Sequence, residues 1–170
     1  MTEIEGVPTG SVVVGVVPRT AEHVVRTAAQ LAARYGVALV VVAVEPDQLL
    51  FAEGLDGSAL GYPVVADDDR PVFDGDLARR LTPLAAEAGV PVRFVAASGQ
   101  PATVLSALAD RVDAAFVVVG SREAGLRGSV REFFAGSVAV HLTHHQHRPV
   151  VVVPLEPAPH DERLPWEPEA

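Results

Sequence analysis

The chain has 170 residues, 49% of them hydrophobic, and carries a net charge of −9. This length suits a single domain with a sizeable core. It contains no Cys and no Lys, which excludes thiolate metal sites, thiol nucleophiles, phosphate-loop lysines and Schiff-base lysines. The acidic charge argues against a nucleic-acid partner, and no apolar run approaches the ~20 residues that a membrane span needs. The acidic N-terminus does not resemble a secretory signal, so we expect a cytoplasmic protein with no membrane partner.

Apolar runs alternate with helical patterns in the first half of the chain. Residues 11–17 and 37–44 read as buried strands, and a helix capped by Thr20 is predicted between them, with a stop at Gly36. Residues 46–72 are polar, rich in Gly and Asp and without a clear period, which predicts a loop. We interpret Asp67, Asp68 and Asp69 as part of this solvated loop rather than as a metal cluster.

The same alternation continues in the second half. Helices are predicted over 74–88 and from Pro101 to Val112, and strands over 91–97, 114–119 and 149–155. Strands that alternate with helices imply parallel crossovers. The predicted fold class is therefore α/β, a doubly wound open sheet of five parallel strands with helices on both faces. We expect a flexible N-terminus over 1–10, one domain over 11–155, and a mobile C-terminal tail rich in Pro and acids over 156–170.

A glycine- and arginine-rich loop follows the predicted strand 114–119. In doubly wound sheets, ligands bind beyond the carboxyl ends of the strands. Glycines let the backbone approach a ligand closely, and guanidinium groups pair with phosphate oxygens. The candidates for binding phosphate or a nucleotide are Gly120, Ser121, Arg122, Gly125, Arg127, Gly128, Gly136 and Ser137. The same residue types are also common in exposed loops without a ligand.

The start of the next helix has two solutions. Ser129 and Glu132 fit a capping box, which would leave Gly136 inside the helix at a cost of ~1 kcal/mol. Alternatively, the chain breaks at Gly136 and a new helix is capped by Ser137. We favour the second solution, because it gathers backbone amides and a hydroxyl at one helix N-terminus.

Histidines follow this helix start. His141 and His145 share a helix face, so a two-histidine metal site is geometrically possible, but no third ligand is evident and we predict no metal. Glu22 and His23 could act as acid and base, although charged residues are ordinary at a helix start. No nucleophile elbow or Ser-His-Asp order is present, so we predict that the protein is not an enzyme.

The chain resembles the universal stress proteins over about residues 11–154. The resemblance rests on the opening VVVGV, the strand ending in VVAV, the Gly-Gln-Pro-Ala helix start and the segment VVVGS…GSVAVHL…RPVVVVP, in the family's order. It implies the strand order 3-2-1-4-5, usually a homodimer, and in one branch ATP binding through a G-x2-G-x9-G-[ST] pattern.

Gly120 matches the first glycine of that pattern, and Gly136 with Ser137 matches its end. On the adenosine side, Val44 matches the family's valine after strand two, whereas Val17 replaces its aspartate. The second glycine falls on Glu123, and the interval from Gly120 to Gly136 is three residues longer than in the pattern.

These departures predict an altered or lost adenine-nucleotide site, with no certain cofactor. The alternative is a functional site that binds ATP or AMP through the reshaped loop 120–137. The family order places the last strand, with Val150, Val151, Val152 and Val153, at a sheet edge. An uncharged apolar edge favours pairing, so we predict a homodimer through this strand, with an unidentified protein partner as a further possibility.

Overall fold

The computed structural model describes residues 7–17, 22–45, 49–53, 59–63, 71–121 and 138–155. In chain order they form β1 (Val12–Val16), α1 (Glu22–Tyr35), β2 (Leu39–Glu45), β3 (Leu49–Glu53), β4 (Ala59–Pro63), α2 (Gly75–Glu87), β5 (Val92–Ser98), α3 (Pro101–Arg111), β6 (Phe116–Gly120), α4 (Val138–His145) and β7 (Val150–Val153).

Five of these strands form one parallel sheet in the order β5-β2-β1-β6-β7. Val12 pairs with Leu39 on one side and with Phe116 on the other, so β1 is the central strand. Counted along the chain, the order of the sheet strands is 3-2-1-4-5, and the predicted fold class is confirmed. The direction of strand addition reverses between β1 and β6, and this reversal marks the ligand-binding edge of such sheets.

Valine runs form the central strands because the sheet is covered on both faces, which removes the need for alternating polar residues. One core cluster packs β1 and β2 against α1 and α2, with Val14, Val25 and Leu81 fully buried. The other cluster packs the opposite face against α3 and α4, through Leu105 and Leu142. The helices are therefore on both faces of the sheet, as the sequence predicts.

Local signals set the helix bounds. The Asp74 carboxylate accepts hydrogen bonds from the backbone N–H groups of Asp76 (2.7 Å) and Leu77 (3.0 Å) and so caps α2. Gly36 and Gly89 follow α1 and α2 with positive φ angles of 65° and 69°, which is the conformation of a helix C-cap. Within the described ranges, no helix is long and apolar enough to cross a membrane.

The loop prediction for residues 46–72 was wrong in part. β3 and β4 form an antiparallel two-stranded sheet in which Phe51 is opposite Gly61. The sequences LLFAE and ALGYP are short apolar runs on either side of a Gly- and Asp-containing segment, which is a hairpin pattern that the overall polarity of the region conceals. Asp67, Asp68 and Asp69 lie outside the described residues, as do residues 1–6 and 156–170, so the predictions on those parts stay predictions.

Candidate functional site

The carboxyl ends of β1, β2 and β6 meet at one edge of the sheet. This edge includes the point between β1 and β6 at which the strand order reverses. Four of the residues predicted from the sequence lie there: Val17 after β1, Val44 near the end of β2, and Gly120 with Ser121 at the end of β6. The structure thus brings the described part of the predicted site together.

Val17 and Val44 form the apolar part of this edge. Val16 pairs with Ala43, and the same parallel register brings Val17 level with Val44. Val44 is half-buried and packs against the core on the α3 and α4 side. Val17 is 59% exposed, which is unusual for a valine that follows a fully covered strand. An exposed apolar residue therefore occupies the place where the family resemblance implies a carboxylate.

The end of β6 is covered by the chain that leaves β7. The Ser121 backbone N–H donates to the Val153 carbonyl (2.8 Å), and the Leu155 N–H donates to Ser121 Oγ (2.9 Å). A Cβ atom on Gly120 would lie only 3.1 Å from Leu155 Cδ2, so the absence of a side chain on Gly120 permits the close approach of Leu155. Ser121 Oγ already accepts one hydrogen bond from the protein, although its proton is still suited to a second acceptor.

His23 also contacts the exit of β7. Its Nε2 lies 2.6 Å from the Pro154 carbonyl oxygen, and because a carbonyl only accepts, Nε2 is the donor. The contact joins the first turn of α1 to residues 131 positions later in the chain. This nitrogen of His23 thus has a structural hydrogen bond, which gives the acid–base alternative for Glu22 and His23 no geometric support.

The turn from β5 into α3 lies at the same edge of the sheet, next to the end of β2. The Gly99 N–H donates to the Glu45 carbonyl (2.9 Å), and its φ of +131° is a conformation that L-residues rarely adopt. Pro101 then opens α3, as the Gly-Gln-Pro pattern predicts. Gly99 is therefore needed for the turn itself, independently of any ligand.

The remaining loop candidates lie outside the described residues: Arg122, Gly125, Arg127, Gly128, Gly136 and Ser137. Glu123 and both candidate helix starts before Val138 lie there too. Their assignment to a ligand stays a prediction.

The contacts of His23, Pro154 and Leu155 were missed by the sequence analysis. They depend on residues that are distant in the chain and carry no motif, so no sequence signal marks them.

The histidines at 141, 144, 145 and 147 lie in the second half of α4 or just after it, away from the carboxyl ends of the strands. His141 and His145 have ring centroids 6.3 Å apart, and His144 and His147 are exposed. Among the described residues, no group of three or more His, Cys, Asp or Glu side chains is arranged to hold a metal ion.

The fold and the position of this edge define a doubly wound α/β protein. The model of the universal stress protein family matches residues 9–154, and the chain belongs to this family. A search of curated proteins gave no match.

Solved structures of universal stress proteins share the fold. A universal stress protein in complex with cAMP is 22% identical, with a TM-score of 0.61 and coverage of 88% of this chain and 99% of that chain. One from Archaeoglobus fulgidus is 23% identical, with a TM-score of 0.59 and coverage of 84% and 97%. A family member from Arabidopsis thaliana with AMP bound is 17% identical, with a TM-score of 0.53 and coverage of 91% and 97%.

Proposed function

We propose that this chain is a non-enzymatic, cytoplasmic universal stress protein that acts in a stress response through self-association and partner binding, with an altered or lost adenine-nucleotide site. The observation that carries the proposal is Val17, which is 59% exposed at the end of the central strand. The family resemblance implies an aspartate at this position. The side chain of a valine offers no hydrogen-bond acceptor to a nucleotide hydroxyl or amino group.

The energetic effect of this replacement is substantial. An unmade hydrogen bond to a buried polar group of a ligand costs ~1–3 kcal/mol, which corresponds to roughly a 5- to 150-fold weaker affinity.

The contacts at β6 support alteration on the phosphate side as well. Leu155 lies against Gly120, and its N–H group uses Ser121 Oγ as an acceptor. Gly120, which matches the first glycine of the phosphate-binding pattern, and the neighbouring candidate Ser121 are therefore both in contact with the protein itself. A phosphate bound at Gly120 and Ser121 would have to fit beside residues 154–155 or displace them.

The alternative is a functional ATP or AMP site that uses the reshaped loop 120–137. It is favoured by the similar proteins solved with cAMP and with AMP, and by Val44, which matches the family's residue at the end of β2. In this case Arg122 and Arg127 would offset the charge of Glu123.

A thermal-shift titration with ATP, AMP and cAMP separates the two functions. We expect no shift for the native chain at millimolar nucleotide, because its nucleotide site is altered or lost. Binding would be visible, since a ligand at a hundred times its Kd would add ~2.7 kcal/mol of stability. Val17→Asp restores the missing carboxylate and is expected to produce a shift with AMP or ATP, alone or together with Glu123→Gly. Val72→Asp is the matched control, since it makes the same change at another exposed valine.

A clear shift of the native chain that disappears in Ser137→Ala would overturn the proposal in favour of the alternative. An equal thermal shift in Val17→Asp and Val72→Asp would also count against the proposal. The effect of the added carboxylate would then not depend on its position at the end of β1.

Self-association is proposed from the position of β7. This strand forms one edge of the five-stranded sheet, it consists of Val150, Val151, Val152 and Val153, and Val152 is 45% exposed. An uncharged apolar edge strand tends to pair with another strand. Pairing with a twofold-related copy would satisfy both edges at once.

A further inference from the structure

Residues 154–155, which we call the latch, join the first turn of α1 to the carboxyl end of β6. The carbonyl oxygen of Pro154 accepts a hydrogen bond of 2.6 Å from His23 Nε2. The side chain of Leu155 is half-buried and packs against Gly120. The stretch that the family model matches ends at residue 154, so the contacts of Leu155 lie just outside it.

The latch continues a paired strand, but it is held by side chains. The Ser121 N–H donates to the Val153 carbonyl (2.8 Å), which is a backbone rung between β6 and β7. In a parallel ladder, the next rung would run from the N–H of Leu155 to the backbone carbonyl of residue 121. Here the Leu155 N–H donates to the hydroxyl oxygen of Ser121 (2.9 Å). The latch can therefore detach when side chains rotate, without separation of β6 from β7.

In its closed position, the latch covers groups that the carboxyl edge would otherwise offer to an anion. A Cβ atom on Gly120 would be 3.1 Å from Leu155 Cδ2, so Leu155 shields backbone that has no side chain of its own. One lone pair of Ser121 Oγ is used by the Leu155 N–H. Both residues lie at the end of β6, next to the reversal of the strand order where such sheets bind ligands.

The contacts of the latch are weak enough to be reversible. His23 and Pro154 are both exposed, so water can replace the hydrogen bond between them. Pro154 has no N–H group to pair with a neighbouring strand, and Leu155 is only half-buried. Segments with few buried contacts open locally at a much lower free energy than that of global unfolding.

We propose that the latch is an autoinhibitory contact. When closed, it keeps a polyphosphate group away from Gly120 and Ser121, and when open, it admits one. This inference rests on the proposed function, because it assigns part of the alteration on the phosphate side to the latch. The apparent affinity for the ligand is reduced by the fraction of molecules in which the latch is open. By linkage, a bound polyphosphate favours the open latch to the same degree.

Isothermal titration of the full chain with sodium tripolyphosphate tests the latch. Leu155→Ala removes the side chain over Gly120 and is expected to raise the affinity about tenfold, because a larger fraction of the protein is open. His23→Phe removes the hydrogen bond to Pro154 and is expected to raise it about fivefold. The matched controls are Leu31→Ala, at another half-buried leucine, and His144→Phe, at another exposed histidine. Both controls should leave the affinity unchanged.

Hydrogen exchange followed by NMR reports the opening of the latch directly. The Leu155 amide is expected to exchange faster in His23→Phe than in the native chain, and faster in the native chain when tripolyphosphate is added. The Val117 amide, which donates to the Pro149 carbonyl (3.0 Å) in the ladder between β6 and β7, should not change. Far-UV circular dichroism checks that all variants are folded.

An affinity for tripolyphosphate that is the same in the native chain as in Leu155→Ala or His23→Phe would overturn the latch. Unchanged exchange of the Leu155 amide in His23→Phe would do so as well, because His23 would then not hold the segment. Tripolyphosphate has no adenosine, so these results do not depend on Val17. The proposed function is decided separately, by the response of ATP and AMP binding to Val17→Asp.

Discussion

Gly15 lies within β1, where the absence of a side chain lets α3 pack directly on the sheet. A Cβ atom at this position would be 2.8 Å from Leu105 Cδ1 and 3.6 Å from Val119 Cγ1. Leu105 is buried in the core, so it cannot move aside into solvent. The residue thus sets the distance between two layers, and no ligand is needed to explain it.

We predict that Gly15→Ala destabilises the fold by ~1–3 kcal/mol, because an added methyl group in a packed core forces neighbouring side chains or the backbone to shift. Urea unfolding measures the change. Gly75→Ala is the control, since nothing lies within 4 Å of its Cβ position and it sits at a helix start. This variant should keep or slightly raise the stability. Equal effects of the two substitutions would contradict the packing argument.

The cap of α2 gives a second prediction at this scale. The backbone hydrogen bonds from Leu77 and Asp76 lower the pKa of Asp74 from its ordinary value of 3.8. The folded state therefore favours the carboxylate, and the resulting stability is present above the unfolded pKa and is lost as the pH falls through the folded pKa.

Asp74→Ala is expected to lower the stability at pH 7, because it removes the cap. Asp74→Asn should keep most of the cap at pH 7, while the fall in stability as the pH drops below about 4 becomes smaller. Denaturant titrations at pH 7 and at acidic pH measure the two effects. An unchanged acid profile in Asp74→Asn would show that the carboxylate does not contribute in this way.

At the scale of the elements, Arg148 lies two residues before β7 and connects this strand to the end of α3. Its side chain is only 20% exposed and forms ion pairs with Asp110 and, at 3.0 Å, with Asp113. The hydrogen bond from Arg148 to Asp113 is the main cause that raises the pKa of the guanidinium, so it stays charged. Asp113 has a φ of 46° and ends the α3 turn, which directs its carboxylate toward this arginine.

We predict that Arg148→Ala costs about 1 kcal/mol of stability and that the cost falls in 0.5 M salt. The value is modest because both carboxylates are exposed and the ion pairs are screened. Arg79→Ala, which removes an exposed i,i+3 pair with Asp76, should have almost no effect. Thermal unfolding at two salt concentrations compares them, and a salt-independent loss for Arg148→Ala would point to lost packing instead.

The sequence predicted the elements whose signal is local. Valine runs such as Val37–Val44 marked buried strands, and Gly36, Asp74 and Pro101 marked the helix ends. The hairpin of β3 and β4 was missed because its two short runs lie in a region of polar composition. The order of the strands came from the family resemblance, since pairing between distant strands has no local pattern.

The same distinction holds for the candidate site. Gly120 was predicted at the carboxyl end of its strand, and Val17 was named from the family resemblance; both lie at the carboxyl ends of parallel strands in the structure, and their assignment to a ligand stays a prediction. The contact of Leu155 with Gly120 was not foreseen, because packing between the ends of two strands depends on side-chain directions that the sequence does not encode locally.

At the scale of the whole molecule, β7, the last strand of the described five-stranded sheet, is the feature with the clearest consequence. Val152 presents an apolar side chain at an edge whose remaining hydrogen-bonding groups need a partner or water. The homodimer proposed through this strand can be tested at Val152, whereas Val153 accepts a hydrogen bond from Ser121 of the candidate nucleotide site.

We predict that Val152→Glu converts a dimer into a monomer, because like charges from two copies would meet at the pairing strands. Analytical ultracentrifugation at micromolar concentration measures the change. Val72→Glu, at an exposed valine outside the β7 edge, should leave the dimer intact. A native chain that sediments only as a monomer, or two variants with equal effects, would contradict pairing through β7.

The central position of β1 has a further consequence during synthesis. Val12 needs both Leu39 and Phe116 as neighbours, and the second partner is made about a hundred residues after the first strand. At ordinary translation speeds of ~5–20 residues per second, one side of this valine strand stays uncovered for roughly 5–20 s on the ribosome. We therefore expect the nascent chain to be open to chaperones until β6 emerges, and a pause before residue 116 would lengthen its exposure to aggregation.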